Sequence, residues 1–361
     1  MRKGRIIQVL PTMSYGDAVS NNALQIREMC KLKGWKTAIY AKNIDPRVKH
    51  IDKVRKLIDD VTPQDLIIYH MSTGSEVTDL VVALNNAHKV MIYHNITPPE
   101  YFAQYNQKLV KLVSQGREQL KGISSAFQLA LGDSQFNQAE LEALGFEHTG
   151  VLPLWLYGEK YSGTPDQTVI NQYKDGSKTI IFVGRIAPNK KQEDIIKAFY
   201  YYKKYYNPSA RLILVGSWNG MERYYHDLQR YVGLLELEDV VFTGHISDHE
   251  LLAYYRVADL FLSMSEHEGF CVPLLECMHF EVPILAYAAA AIPDTLGKAG
   301  LLFTEKDYPA IAALMDVLDQ QPALVKQLIE SETERLKDFD ESHITSIFWK
   351  YINSLQGKGD V

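Results

Sequence analysis

The feature that constrains this chain most is a repeated alternation of short, continuous apolar runs with helical segments. In the first half the runs are Arg5–Leu10, Thr37–Ala41, Leu66–His70, Val90–His94 and Phe127–Leu131. In the second half they are Thr179–Val183, Leu212–Val215, Val240–Thr243, Leu260–Ser263, Pro283–Ala286 and Leu301–Phe303. Unbroken apolar runs, rather than alternating ones, are what strands covered on both faces require. Helical patterns such as Asn21–Lys33, Lys191–Tyr206 and Met221–Leu234 lie between them. Strand and helix alternating in this way predict α/β architecture with doubly wound parallel sheets.

The pattern restarts near residue 178, and Gly158–Ser177 is polar with no clear period. It reads as a linker between two Rossmann-like domains. The expected division is 1–165 and 166–341, and 361 residues suit two such domains. The final segment, Ser342–Leu355, is amphipathic, with Ile344, Ile347, Phe348, Tyr351 and Ile352 on one side. It is expected to be a closing helix, within about 342–361, that returns to the first domain.

Net charge is −6, which removes a global electrostatic reason to bind nucleic acid or a membrane. An anionic ligand must then meet cations gathered locally. The three cysteines, Cys30, Cys271 and Cys277, offer neither zinc spacing nor a disulfide framework, as in a reducing cytoplasm. No run nears the about 18 apolar residues of a membrane span, and Ile6–Leu10 is too short for a signal core. The expected location is cytoplasmic.

In open α/β sheets, ligands bind beyond the carboxyl ends of the strands, so the residues just after each strand are the candidates for a site. After Thr179–Val183 comes Gly184-Arg185-Ile186-Ala187-Pro188-Asn189-Lys190. Gly184 permits a sharp turn. Arg185 and Lys190 give a guanidinium fork and a point charge on one short connection, which suits a diphosphate and the charge it carries away as a leaving group. The bland alternative is a solvated basic loop.

After Leu260–Ser263 comes Ser265-Glu266-His267-Glu268-Gly269-Phe270-Cys271-Val272-Pro273-Leu274-Leu275-Glu276. Pro273 suits a first helical turn, which puts Gly269–Cys271 just ahead of a helix whose free N–H groups favour anions and hydroxyls. Glu268 on the loop and Glu276 inside the helix can accept from two separate sets of hydroxyls. Solvated acids near a helix start are the alternative. His94 ends another strand and is read as facing the ligand, able to bond a sugar hydroxyl or a phosphate oxygen, although a lone histidine at a strand end is more often a satisfied structural residue. Gly16, in Tyr15-Gly16-Asp17-Ala18-Val19-Ser20-Asn21, allows close backbone approach, with Ser20 or Asn21 as helix cap. Asp338-Phe339-Asp340 has a metal-binding spacing but no strand before it, and reads as solvated surface. Tyr101–Ile123 is basic and amphipathic, compatible with a peripheral membrane contact but also with an ordinary surface helix.

Along nearly its whole length the chain resembles glycosyltransferase family 4, a retaining family of GT-B fold, with two Rossmann-like domains facing a central cleft. The most specific parts are Glu268 through Glu276 and Gly184-Arg185 followed by Lys190. Gly16–Asn21 and Tyr287-Ala288-Ala289-Ala290-Ala291-Ile292-Pro293 look like bacterial members that build surface polysaccharides. The resemblance implies that Arg185 and Lys190 hold the donor diphosphate and that Glu276 binds the ribose. It implies that Glu268 meets the transferred sugar beside the backbone of Gly269, Phe270 and Cys271. It also implies that His94 lies beside that sugar, Gly16 and Gly184 near the diphosphate, and His245 and Ile246 near the base. No cofactor or metal is implied. The partners would be a nucleotide sugar, of UDP-glucose or GDP-mannose type, and a saccharide or lipid-linked acceptor. Two positions depart from the family pattern: Cys271, where glycine is common, and Glu281, where a small residue is usual. A nucleotide-sugar epimerase or hydrolase of the same architecture, or a non-catalytic sugar-nucleotide-binding module, remains open at this point.

Overall fold

The computed structural model describes residues 4–156 and 158–356. Among them the strands form two separate parallel sheets. The first contains β1 (Ile6–Met13), β2 (Thr37–Ile44), β3 (Asp52–Lys53), β4 (Leu66–Met71), β5 (His88–Tyr93), β6 (Leu129–Gly132) and β7 (Thr149–Val151), in the order β3-β2-β1-β4-β5-β6-β7. The second contains β8 (Thr179–Val183), β9 (Arg211–Val215), β10 (Val240–Gly244), β11 (Leu260–Ser263), β12 (Ile284–Tyr287) and β13 (Leu301–Phe303), in the order β10-β9-β8-β11-β12-β13. The strand order reverses between β1 and β4 in one sheet and between β8 and β11 in the other. Those reversals open crevices at the carboxyl ends, where ligands collect.

The chain divides into two compact units. One runs to Glu100, resumes from Lys108 through β7, and takes the closing stretch from Phe339. The other takes Tyr101–Gln107 and Gly158–Asp338. The stretch expected to be a featureless linker is therefore part of the second unit and partly helical. Asp166 caps the helix Gln167–Tyr173 by accepting from the N–H groups of Thr168 and Val169. Val169 and Tyr173 are buried, and Asp166 N–H donates to the His249 carbonyl. A seven-residue helix with two buried positions is too short to show a period in sequence.

In the first unit the core gathers Ile6, Ile26, Ile68, Leu131 and Trp155 against Ile344, Phe348 and Ile352 of the closing helix Glu341–Gln356. The Val151 N–H donates to the Tyr351 hydroxyl, and a Cβ on Gly150 would stand 2.3 Å from that oxygen. The helix Gln107–Gly122 buries Val113, Gly116 and Leu120, and its Arg117 and Lys121 pair with Glu140 and Glu118. Among the described residues no helix is long and apolar enough to cross a membrane. Asp338 is exposed and bound to Arg335, and Asp340 is exposed.

Among the described residues of the second unit, Glu332 is a buried acid with no cation on it. Glu332 is fully buried and accepts only the Ile284 N–H, through Oε1, while Oε2 has no partner among the described residues. Burial pushes its carboxyl up to about 8 from an ordinary 4.5. A folded-state value raised above the unfolded one leaves stability intact below about 4.5 and lost as pH rises through about 8. Glu332→Gln is neutral at every pH. Relative to the parent it is expected to gain roughly 1.4 kcal/mol per pH unit across that window and nothing further above it. Thermal unfolding of both proteins at pH 5 and pH 8 measures this. Equal gaps at the two pH values would refute a buried neutral Glu332.

Candidate functional site

The second unit's site is built at its strand reversal. Gly184 follows β8 with φ 151° and donates its N–H to the Val215 carbonyl. Beside it, Gly216 has φ 149°, and a Cβ there would lie 1.9 Å from the Gly184 carbonyl oxygen. Glycine at 216 lets two strand ends approach this closely. Sequence reasoning singled out Gly184 and missed Gly216, whose requirement comes from a neighbouring strand. Arg185 is exposed, with a guanidinium N–H donating to the Asn219 carbonyl at 3.3 Å. A short turn, Pro188–Lys190, then leads into the helix Gln192–Tyr205.

The loop after β11 lies directly alongside. Glu266 N–H donates to the Asn189 carbonyl at 2.9 Å, and the Asn189 side-chain amide donates to the His267 carbonyl at 3.0 Å. So laced, the loops bring Lys190 Nζ to Glu268 Oε2 at 2.5 Å, with Glu268 buried. Behind this pair Lys306 bridges Glu266 (2.7 Å) and Asp194 (2.8 Å). Burial pushes the Asp194 carboxyl up, but Lys306 and Lys197 outweigh it and hold it below its ordinary range. Lys306 was not anticipated. It follows β13, so the strand-end rule contained the only signal for it.

Phe270 is buried, its carbonyl accepting from the Thr295 hydroxyl at 2.6 Å. Cys271 precedes the helix Val272–Phe280 in the left-handed region, φ 73°. A side chain there costs roughly 1–2 kcal/mol, which accounts for glycine being usual. Burial pushes the Cys271 thiol well above its ordinary range, which withholds the thiolate a nucleophile needs. Glu281 ends the same helix, also left-handed at φ 57°. Glu276 is buried, and its carboxylate accepts from the Tyr161 and Tyr255 hydroxyls. His245 is exposed and Ile246 half-buried, both just past β10.

In the first unit, Gly16 turns with φ 77°. The helix begins earlier than expected, at Ala18, capped by Asp17, whose carboxylate accepts the Ser20 N–H. Asp17 replaces Ser20 or Asn21 as the cap because its oxygen reaches the third helical N–H. His94 is also placed differently from expectation. Its side chain is 2% exposed and both ring nitrogens are engaged, so as placed it has none to offer a sugar. It belongs to a relay over four neighbouring strands. Gln8 on β1 meets His70 on β4 (2.9 Å), His70 meets His94 after β5 (2.8 Å), and His94 meets Asp133 after β6 (2.8 Å).

The Ala23 carbonyl sets the relay's direction. It accepts from the Gln8 amide N–H, so Gln8 Oε1 must accept from His70 Nε2. Burial, and then His94, hold His70 well below its ordinary range, so it is neutral and its Nδ1 accepts from His94 Nε2. One proton is then left for His94 Nδ1 and Asp133 to share. Burial raises the Asp133 carboxyl, with His94 pulling the other way. An amide N–H at 133 serves the same direction, so Asp133→Asn is expected within about 1 kcal/mol of the parent. Gln8→Leu strands two buried groups and is expected to cost about 1–3 kcal/mol. Denaturant unfolding at pH 7 compares them, and a reversed order would contradict this polarity.

Comparison with known proteins adds similarities in sequence and in fold. Escherichia coli serotype-specific mannosyltransferase WbdA is 26% identical over 170 residues, covering 46% of this chain and 21% of WbdA. The chain thus spans a minor part of that relative's length. Sucrose-phosphate synthase from Thermosynechococcus elongatus superposes with a TM-score of 0.77 at 18% identity, covering 98% of this chain and 100% of that one. HepE from Anabaena, solved with UDP and glucose, gives 0.77 at 19%, covering 97% and 100%. These likenesses establish a two-domain α/β architecture of GT-B type. A family model described as glycosyl transferases group 1 matches residues 164–335. Those matched residues carry Arg185, Lys190, Glu268 and Glu276, so the similarity to group 1 glycosyl transferases falls on the stretch that builds the site.

Proposed function

We propose that the chain transfers a hexosyl group from a nucleoside diphosphate sugar to a saccharide or lipid-linked saccharide acceptor, with retention and without a metal, in surface polysaccharide synthesis. The observation that carries this reading is the Lys190–Glu268 ion pair at the strand reversal. It sets a cation for the diphosphate against a carboxylate for sugar hydroxyls. The solved relative bound to UDP and glucose, and the mannosyltransferase relative, support the donor class.

In this reading Lys190 and Arg185 draw the negative charge that grows on the departing diphosphate. Glu268 accepts from the sugar, and the positive end of the helix Val272–Phe280 favours hydroxyls or phosphate beside it. The bond from C1 to the phosphate oxygen breaks as the bond from C1 to the acceptor oxygen forms on the same face. The departing phosphate oxygen takes the acceptor's proton. No protein base is needed.

The test is incubation of the full chain with UDP-glucose or GDP-mannose and a panel of saccharide and lipid-linked acceptors. The anomeric configuration of the product is then read by NMR, with and without EDTA. A retained linkage insensitive to EDTA is expected. Lys190→Ala and Arg185→Ala, folded by circular dichroism, are each expected to lower turnover by roughly a hundredfold, about 3 kcal/mol. Near-parental turnover in both, or release of free sugar without transfer, would defeat the reading.

A further inference from the structure

Glu276 has an environment that no part of the proposed function uses. It is 4% exposed, yet the side chains on its oxygens are neutral hydroxyls: Tyr161 O–H donates to Oε1 and Tyr255 O–H to Oε2, each at 2.6 Å. Lys160 Nζ stands off at 3.6 Å from Oε1. The two tyrosines come from different elements, Gly158–Tyr161 and Asp248–Val257. Burial, and then Glu276, push both phenols far above their ordinary range, so each keeps its proton and donates.

A glutamate's last torsion is soft, so one hydrogen bond leaves the carboxylate free to turn about its axis. Two donors on opposite oxygens, anchored to separate helices, fix its plane. A carboxylate has about four acceptor directions, and the tyrosines take one on each oxygen. By that count one acceptor direction per oxygen remains, enough for two neighbouring hydroxyls such as the cis-diol of a ribose.

We infer that Tyr161 and Tyr255 are positioning residues that set the Glu276 carboxylate to read the ribose diol of the donor nucleotide. This rests on the proposed function, with the ribose role for Glu276 that the family resemblance implies. Tyrosine is required at both positions for its hydroxyl, since the rings would pack equally well as phenylalanine. The Tyr255 ring stacks on Phe280 at 5.2 Å, and Tyr161 meets the same ring edge-on at 6.2 Å.

The experiment compares UDP and GDP with their 2′-deoxy forms, by calorimetry, on the full chain and on Tyr161→Phe, Tyr255→Phe and Glu276→Gln. The readout is the ribo-to-deoxy affinity ratio for whichever base binds, a quantity that partial unfolding does not change. The parent is expected to prefer the ribo form. Each tyrosine variant is expected to lower that preference about tenfold, the equivalent of about 1.4 kcal/mol, by weakening the ribo form alone. A parent that discriminates, with Glu276→Gln losing the preference and both tyrosine variants keeping it, overturns the positioning role alone. A parent with no preference overturns the ribose reading of Glu276 and this inference with it.

Discussion

The site depends on the lacing of two loops at the β8/β11 reversal. Asn189 binds the second loop twice, once through its carbonyl and once through its side-chain amide. Lys190 is its immediate neighbour and Glu268 follows His267, so the lacing delivers a cation and a carboxylate to one place. Parallel pairing of β8 with β11 brings the loops together in the first place. Glycine at 216 then lets its strand end lie against the Gly184 carbonyl.

Four buried acids show how differently one fold can accommodate the same group. Glu268 is met by an ammonium, and Glu276 by two hydroxyls. Asp133 shares a proton with an imidazole, and Glu332 is held neutral by its surroundings. An isolated buried charge is costly, and each arrangement avoids leaving one. They also differ in what they permit. A carboxylate held by a lysine or by hydroxyls keeps acceptor capacity for a ligand. The array at His94 uses up its ring nitrogens internally.

Both sheets were legible because their central strands are unbroken apolar runs. The strands β3 and β7 were not: one has two residues and the other is Thr-Gly-Val, so neither carries a run. Helix starts were blurred where several good caps stand together, as at Asp17, Ser20 and Asn21. Lys190 and Glu268 were legible as separate strand-end motifs, and the family resemblance gave them roles. Their direct contact was not, because it spans 78 residues. The same limit hid Lys306, Tyr161 and Tyr255. For His94 the local pattern found the strand end. It could not show that β4 and β6 flank that strand and bring His70 and Asp133 to its ring.

The two units are threaded rather than strung in series. The chain passes from one to the other at residue 100, returns at 108, leaves again at 157 and comes home at 339. Cutting it at any one of these points does not yield two whole parts. A fragment ending near residue 157 would lack the helix that covers Ile26, Ile68 and Leu131, and would leave a sticky apolar groove behind. Exchange of one unit between proteins of this architecture therefore has to respect several junctions at once. A chimera joined at one seam would inherit an uncovered core.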